Sequence, residues 1–261
     1  MKQVDSAAGL KNEISRLNGR SIGMVPTMGA LHAGHVSLVK RSVDENDITL
    51  VSIFVNPAQF NDVRDLEKYP RTMNADLALL SDILGPDDIV FTPEADDIYR
   101  DEQLPGIDLG HLATTMEGEH RPGHFMGVVR IVKILFDLCR PHRAYFGRKD
   151  FQQLAVIRTM AEQSRLKTEI IGCPIIREAN GLAMSSRNSR LSPVMREKAG
   201  IIFRTLTKYR EQSLPFDVNS LKNKIISEIN AEDNFNVEYF DIVDDRELIP
   251  VHSHEDIDPG K

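Results

Sequence analysis

The sequence predicts an α/β protein: a doubly wound parallel sheet over its first two-thirds, then a smaller α+β domain. Short β-branched runs alternate with segments of helical period from about residue 21 to 176. One run, Ile48-Thr-Leu-Val-Ser-Ile-Phe-Val55, is apolar almost throughout, as a strand buried on both faces requires. After about Ile176 the chain turns polar and rich in Ser, Arg and Asn, and the alternation stops. The expected domains are therefore 1–175 and 176–261.

In chain order, residues 21–25 read as a short buried strand. A helix follows from Val36, with Val36, Leu38, Val39 and Val43 on its apolar side. Beyond the strand over 48–55, a polar stretch carrying Pro57 and Pro70 leads to a helix over 73–84 and a strand over 89–92. A helical pattern over 128–138 precedes a short strand over 143–146, a helix over 151–163 and a strand over 168–176. In the second domain Ser192-Pro193 is a good N-cap and first-turn pair. Helices are expected over 193–211 and 217–231, then a strand over 237–243 and a polar, frayed tail over 250–261.

Composition excludes several classes of function. The net charge of −7 argues against a general nucleic-acid binder, which needs a basic face. No run approaches the roughly 18 apolar residues of a membrane span, and the polar N-terminus lacks the apolar stretch of a secretory signal. Cys139 and Cys173 follow no ligand spacing and read as buried free thiols, which fits a cytoplasmic protein.

The chemistry is concentrated where strands end, since ligands of parallel sheets bind beyond the carboxyl ends. Val25-Pro-Thr-Met-Gly-Ala-Leu-His-Ala-Gly-His35 joins the first strand to its helix. His32 and His35, three apart, share one helix face, beside a helix N-terminus that favours anions. The pair could instead ligate a metal, but no third ligand or HExxH-type companion accompanies it. Phe146-Gly-Arg-Lys-Asp-Phe-Gln-Gln153 sits at another strand-to-helix junction. There Lys149 is placed for phosphate, Asp150 for an N-cap, a ribose hydroxyl or a metal-bound nucleotide, and Gln153 for the same side. Met184-Ser-Ser-Arg-Asn188 offers two hydroxyls and an arginine fork, although such loops are often only solvated turns. Asn56 and Gln59 present neutral amides after the buried strand, and Arg121-Pro-Gly-His124 adds a cation and an imidazole.

With PTMGALHAGH, SIFVNPAQF, YPRT, RPGHF, FGRKDFQQL and GLAMSSRN in this order, the chain resembles the pantoate–β-alanine ligase family of the nucleotidyltransferases that share the His-x-Gly-His motif. The resemblance implies a Rossmann-like N-terminal domain, a small C-terminal lid and a homodimer. It implies that pantoate attacks ATP to give pantoyl adenylate and pyrophosphate, and that β-alanine then displaces AMP, a step in coenzyme A biosynthesis. It assigns the acid role to His35, with His32, Lys149 and Arg187 as further catalytic groups. ATP is implied against Met28, Gly29, His32, His35, Gly147, Arg148, Lys149, Asp150, Ile176, Met184, Ser185, Ser186 and Arg187. Pantoate is implied against Gln59 and Gln153, and β-alanine against Gln59, Asn56 and Arg121. Magnesium is implied on the ATP phosphates, with no protein ligand assigned and no nucleic-acid or membrane partner.

Three positions depart from the family pattern. Arg148 replaces the usual Glu, Asn74-Ala75-Asp76 stands where adjacent acids associated with magnesium are common, and the tail from Val251 replaces an apolar edge strand. Two other readings stay open: a different His-x-Gly-His nucleotidyltransferase, and an ATP-binding relative without activity.

Overall fold

The structure, a computed structural model, describes residues 1–100, 106–210 and 217–253. Six strands, β1 (Lys2–Val4), β2 (Ile22–Thr27), β3 (Ile48–Ile53), β4 (Ile89–Phe91), β5 (Arg143–Gly147) and β6 (Glu169–Cys173), form one sheet in the order β1-β4-β3-β2-β5-β6. Every pairing is parallel. The connecting helices are α1 (Ala7–Ser15), α2 (Ala33–Glu45), α3 (Val63–Glu67), α4 (Met73–Ser81), α5 (Ala95–Ile98), α6 (Glu117–His120), α7 (His124–Cys139) and α8 (Phe151–Gln163). These elements fall within one compact unit, Met1–Ile176.

Period-two alternation explains the double winding. On one face Val25, Val51 and Val90 pack with Leu38 and Val39 of α2 and with Leu80 of α4. On the other, Met24 meets Cys139 of α7, the two sulfurs 3.4 Å apart, and α7 touches both α1 and α8. All six residues of β3 are buried, as its β-branched sequence implies. Cys139 and Cys173 are buried and unbonded to each other.

The second unit, Arg177–Lys261, holds α9 (Pro193–Lys198), α10 (Ile201–Arg210) and α11 (Val218–Asn230). Its core is Leu221, Ile225 and Ile229 of α11, covered by Leu206, Phe235, Val237, Phe240 and Ile242. Ser192 caps α9 by accepting the Met195 N–H at 3.2 Å, with Pro193 at the first turn, as expected.

Several boundaries differ from expectation for physical reasons. The helix expected from Val36 begins at Ala33, because His32 itself supplies the N-cap. The helix over 193–211 is broken at Ala199–Gly200. There the Asn180 amide donates to the Arg196 and Glu197 carbonyls at 2.8 and 3.2 Å, and a Cβ on Gly200 would lie 2.4 Å from the Asn180 carbonyl oxygen. The run 237–243 forms no strand. Among the described residues it makes a single bridge, Val243 with Pro250, and proline has no N–H to extend a ladder. Among the described residues the second unit therefore carries helices and isolated bridges, without the β component expected for it. Of the tail over 250–261, residues 254–261 lie outside the described residues. Strand β1 and helix α1 were not anticipated, although Ser6 is an N-cap, accepting the Gly9 N–H at 3.3 Å. No helix among the described residues is long and apolar enough to cross a membrane.

Candidate active site

The strand order makes β2 and β5 the switch point, since β3 and β4 extend the sheet one way and β6 the other. Ligands of open parallel sheets bind in the crevice there. The β2–β5 ladder pairs only Gly23 with Arg143 and Met24 with Ala144. Both strands continue further, and Pro26, lacking an N–H, lies on β2 beyond the last pair. The segments leaving the two strand ends are Met28–His35 and Gly147–Asp150, so the topology brings the two predicted phosphate segments to one crevice.

The path out of β2 is tightly specified. Thr27 Oγ1 donates to the Ser52 carbonyl at 2.7 Å and accepts the Gly29 N–H at 3.2 Å. Gly29 has φ of +77° and Ala30 +48°, a left-handed turn that only glycine adopts without strain at the first position. The Asp76 carboxylate, 2% exposed, accepts the Ala30 and Leu31 N–H groups at 2.9 and 2.8 Å, and the Thr72 hydroxyl at 3.1 Å. Asp76, which the sequence marks only as standing where adjacent acids are common in the family, reaches this loop from α4.

The chain then enters α2 through its two histidines. His32 Nδ1 accepts the Gly34 N–H at 3.1 Å, and the His32 N–H donates to His35 Nδ1 at 3.4 Å. The ring centroids are 4.0 Å apart. A backbone N–H can only donate, so in the neutral rings both Nδ1 atoms are acceptors and both Nε2 atoms carry hydrogen. His35 is pulled down to about 3, chiefly by burial, with the His32 ring and Lys149 acting the same way and Asp150 opposing them. At neutral pH it is therefore an uncharged N–H donor.

The turn after β3 forms a second wall. Asn56 is 1% exposed, with its amide on Gln59 Oε1 (3.1 Å) and the Gly127 carbonyl (3.0 Å). Its oxygen accepts the Ala58 N–H at 3.1 Å and the Tyr99 hydroxyl. Asn56 thus spends its polar atoms inside the protein and holds Gln59, whose Nε2 rests 3.0 Å from Met28 Sδ. The Gln59 carbonyl takes Arg121 Nη2 at 3.3 Å and His124 Nδ1 at 2.7 Å. Gly127 lets α7 press on this turn, for a Cβ there would lie 2.2 Å from the Ala58 carbonyl oxygen.

Beyond β5, Lys149 pairs with Asp150 at 3.0 Å. Asp150 stands at the N-cap of α8 without a side-chain cap bond, so its carboxylate faces outward with Lys149. Gln153 has no side-chain partner among the described residues, whereas neighbouring Gln152, unremarked in the sequence, is buried and fastened to the Leu112 and Thr115 carbonyls at 3.0 and 2.8 Å. Arg148 lies against β6, where a Cβ on Gly172 would come within 3.3 Å of its Nε.

In the second unit, the Ser185 hydroxyl accepts the Arg187 N–H at 3.3 Å and caps a 3₁₀ turn, Ser186–Arg190. Asn188 anchors the loop by donating to Glu178 at 2.8 Å and to the Ala183 carbonyl at 3.1 Å. Glu178 also holds Arg196 through two bonds of 2.6 and 2.9 Å. Met184 belongs to this anchored loop, and Ile176 is the last residue of the first unit.

Imidazole and lysine donors at the switch point of such a sheet mark an α/β enzyme that handles a nucleotide's phosphates. Comparison with known proteins narrows this class. The family model described as pantoate-beta-alanine ligase matches residues 2–258, and the chain belongs to that family. A pantothenate synthetase of Bacteroides thetaiotaomicron is 49% identical over 98% of this chain and 91% of its own length. One from Azobacteroides pseudotrichonymphae is 52% identical over 89% of this chain and 83% of its own length. The crystal structure of the Thermus thermophilus pantothenate synthetase superposes with a TM-score of 0.88 at 38% identity, covering 97% of this chain and 91% of that one. The Francisella tularensis pantoate-beta-alanine ligase, solved with Beta-gamma ATP and Beta-alanine, gives 0.77 at 38% identity, covering 88% and 86%. The activity is a carbon–nitrogen ligation, the ATP-dependent condensation of pantoate with β-alanine.

Proposed function

We propose that the condensation runs through pantoyl adenylate, with the Met28–His35 and Gly147–Asp150 segments around ATP and the Asn56–Gln59 turn around the acid. The observation that carries this reading is the pair of histidines at the start of α2, each with its Nδ1 taken by a backbone N–H and its Nε2 turned to the other side of the ring. Attack of the pantoate carboxylate on the α-phosphate builds charge on the phosphate oxygens and on departing pyrophosphate. His32 and the uncharged His35 donate to those oxygens, and nucleotide charge near His35 raises its proton affinity toward the acid role. Lys149 leaves its exposed pairing with Asp150, a weak surface contact, to meet phosphate.

Gln59 and Gln153 hold pantoate. Gln153 has no side-chain partner among the described residues and Gln59 has an amide oriented by Asn56, so pantoate meets neutral donors that leave its carboxylate nucleophilic. Arg121 binds the β-alanine carboxylate beside Gln59, and Asn56 acts there through Gln59. Arg187, with Ser185 and Ser186, supplies phosphate contacts from the second unit, which serves as a lid that keeps water from the acyl adenylate.

Magnesium enters on the ATP phosphates. Among the described residues there is no group of three or more His, Cys, Asp or Glu arranged to hold a metal ion. Asp76 already accepts two N–H groups and a hydroxyl. The working enzyme is a cytoplasmic homodimer in this reading.

Isotope transfer tests the proposed route. Pantoate labelled with ¹⁸O in its carboxylate must pass one label to AMP if the adenylate forms. Label found only in pantothenate, or in inorganic phosphate, would refute it.

A further inference from the structure

β-Alanine reaches the enzyme as an ammonium ion, which has no lone pair with which to attack the adenylate. Beside the turn assigned to the two acids there is a group suited to removing that proton. We propose that His124 Nε2 is the general base for the β-alanine ammonium, while its Nδ1–H holds the main chain of Gln59. The inference rests on the ligase reading above.

The geometry fixes the ring. Nδ1 lies 2.7 Å from the Gln59 carbonyl oxygen, which can only accept, so Nδ1 carries hydrogen and Nε2 carries the lone pair. No described residue donates to that Nε2. The ring is 7% exposed and packs on Phe125 with centroids 5.0 Å apart. It opens α7, three residues after Arg121, and the same Gln59 carbonyl takes Arg121 Nη2. A base oriented through its second nitrogen, beside the cation that would bind the substrate carboxylate, has the arrangement that general-base catalysis requires.

The charged surroundings agree. Burial is the largest influence on His124 and lowers its proton affinity, and Arg121 adds to this. The Gln59 carbonyl bond opposes it, as do Glu117 of α6 and Asp150 at the start of α8. The Pro57–Gln59 turn packed against α7 brings no titratable group. His124 is thus unprotonated at neutral pH, as a base must be.

The step balances as follows. Nε2 takes one proton from the ammonium, and the freed nitrogen lone pair bonds to the adenylate carbonyl carbon. The bond from that carbon to the phosphate oxygen breaks, and AMP leaves with the electron pair. The second proton lost from nitrogen goes to the departing phosphate or to water.

His124→Asn separates the two roles, because its amide can still donate to the Gln59 carbonyl but nothing replaces Nε2. In this variant pantoate-dependent exchange of pyrophosphate into ATP should survive within about threefold. Single-turnover conversion of preformed pantoyl adenylate by β-alanine should slow by about 10²–10⁴-fold. The residual rate should climb close to tenfold per pH unit as free amine accumulates, unlike the wild-type profile. A β-alanine step at the wild-type rate would overturn the proposal, as would equal loss of both halves, which would leave His124 a positioning residue for Gln59. If wild-type enzyme shows no pantoate-dependent exchange, the failure lies with the adenylate route proposed above instead.

Discussion

Asp76 and His35 carry most of the site's local design, and neither acts alone. Asp76 holds the Ala30 and Leu31 N–H groups, so the approach to His32 is set by a carboxylate from α4. Asp76→Asn turns one acceptor into a donor facing an N–H, which should cost about 1–3 kcal/mol in urea unfolding. It should also lower the adenylation rate at least about tenfold, the scale of one misplaced transition-state contact. Unchanged adenylation would show that the loop holds itself. Removing the Nε2 donor in His35→Ala should depress adenylation by about 10²–10³. His35 also gives a pH signature. Unfolded, it protonates near its usual value, about 6.5, but folded only near 3. Between those values the unfolded chain binds the extra proton, so this contribution to stability is complete above about pH 6.5 and is lost as pH falls. His35→Gln should therefore gain about 1–2 kcal/mol on wild type between pH 6.5 and 4.5, allowing for partial exposure of the ring. Parallel urea midpoints across that range would contradict the assignment.

The α7 helix and the turn it presses on show what one element contributes. Gly127 permits the approach that lets Asn56 reach a carbonyl of α7 and hold Gln59. Gly127→Ala should destabilise by about 1–3 kcal/mol through overpacking and should raise the pantoate KM more than the ATP KM. Equal changes in both would place pantoate elsewhere. This scale also shows what the sequence could convey. Strands β2, β3 and β4 were readable because their apolar runs are buried on both faces, and the 151–163 span of α8 was readable from its helical period. The paired histidines, Lys149 and the amides were readable because their spacing recurs locally. Asp76 on the Ala30 loop, His124 on Gln59 and Asn188 on Glu178 were not, since each joins residues between 10 and 65 positions apart that no local period connects. The expected strand over 237–243 failed for the complementary reason. Its apolar alternation is real, but it is spent against α11 rather than on a neighbouring strand.

At the scale of the molecule, the sheet of the first unit reverses its strand order at β2 and β5, and within the second unit Ser185 caps the Ser186–Arg190 turn. If that unit closes over the adenylate, ATP with pantoate should reduce the radius of gyration in small-angle scattering, and ATP alone should reduce it less. An unchanged radius would remove the lid from the account. The most direct test of the whole is pantoate-dependent exchange of labelled pyrophosphate into ATP, with β-alanine absent, in wild type and His35→Ala. The account predicts exchange that requires pantoate and falls by about 10²–10³ in the variant. Exchange without pantoate, or exchange untouched by the loss of His35, would contradict it.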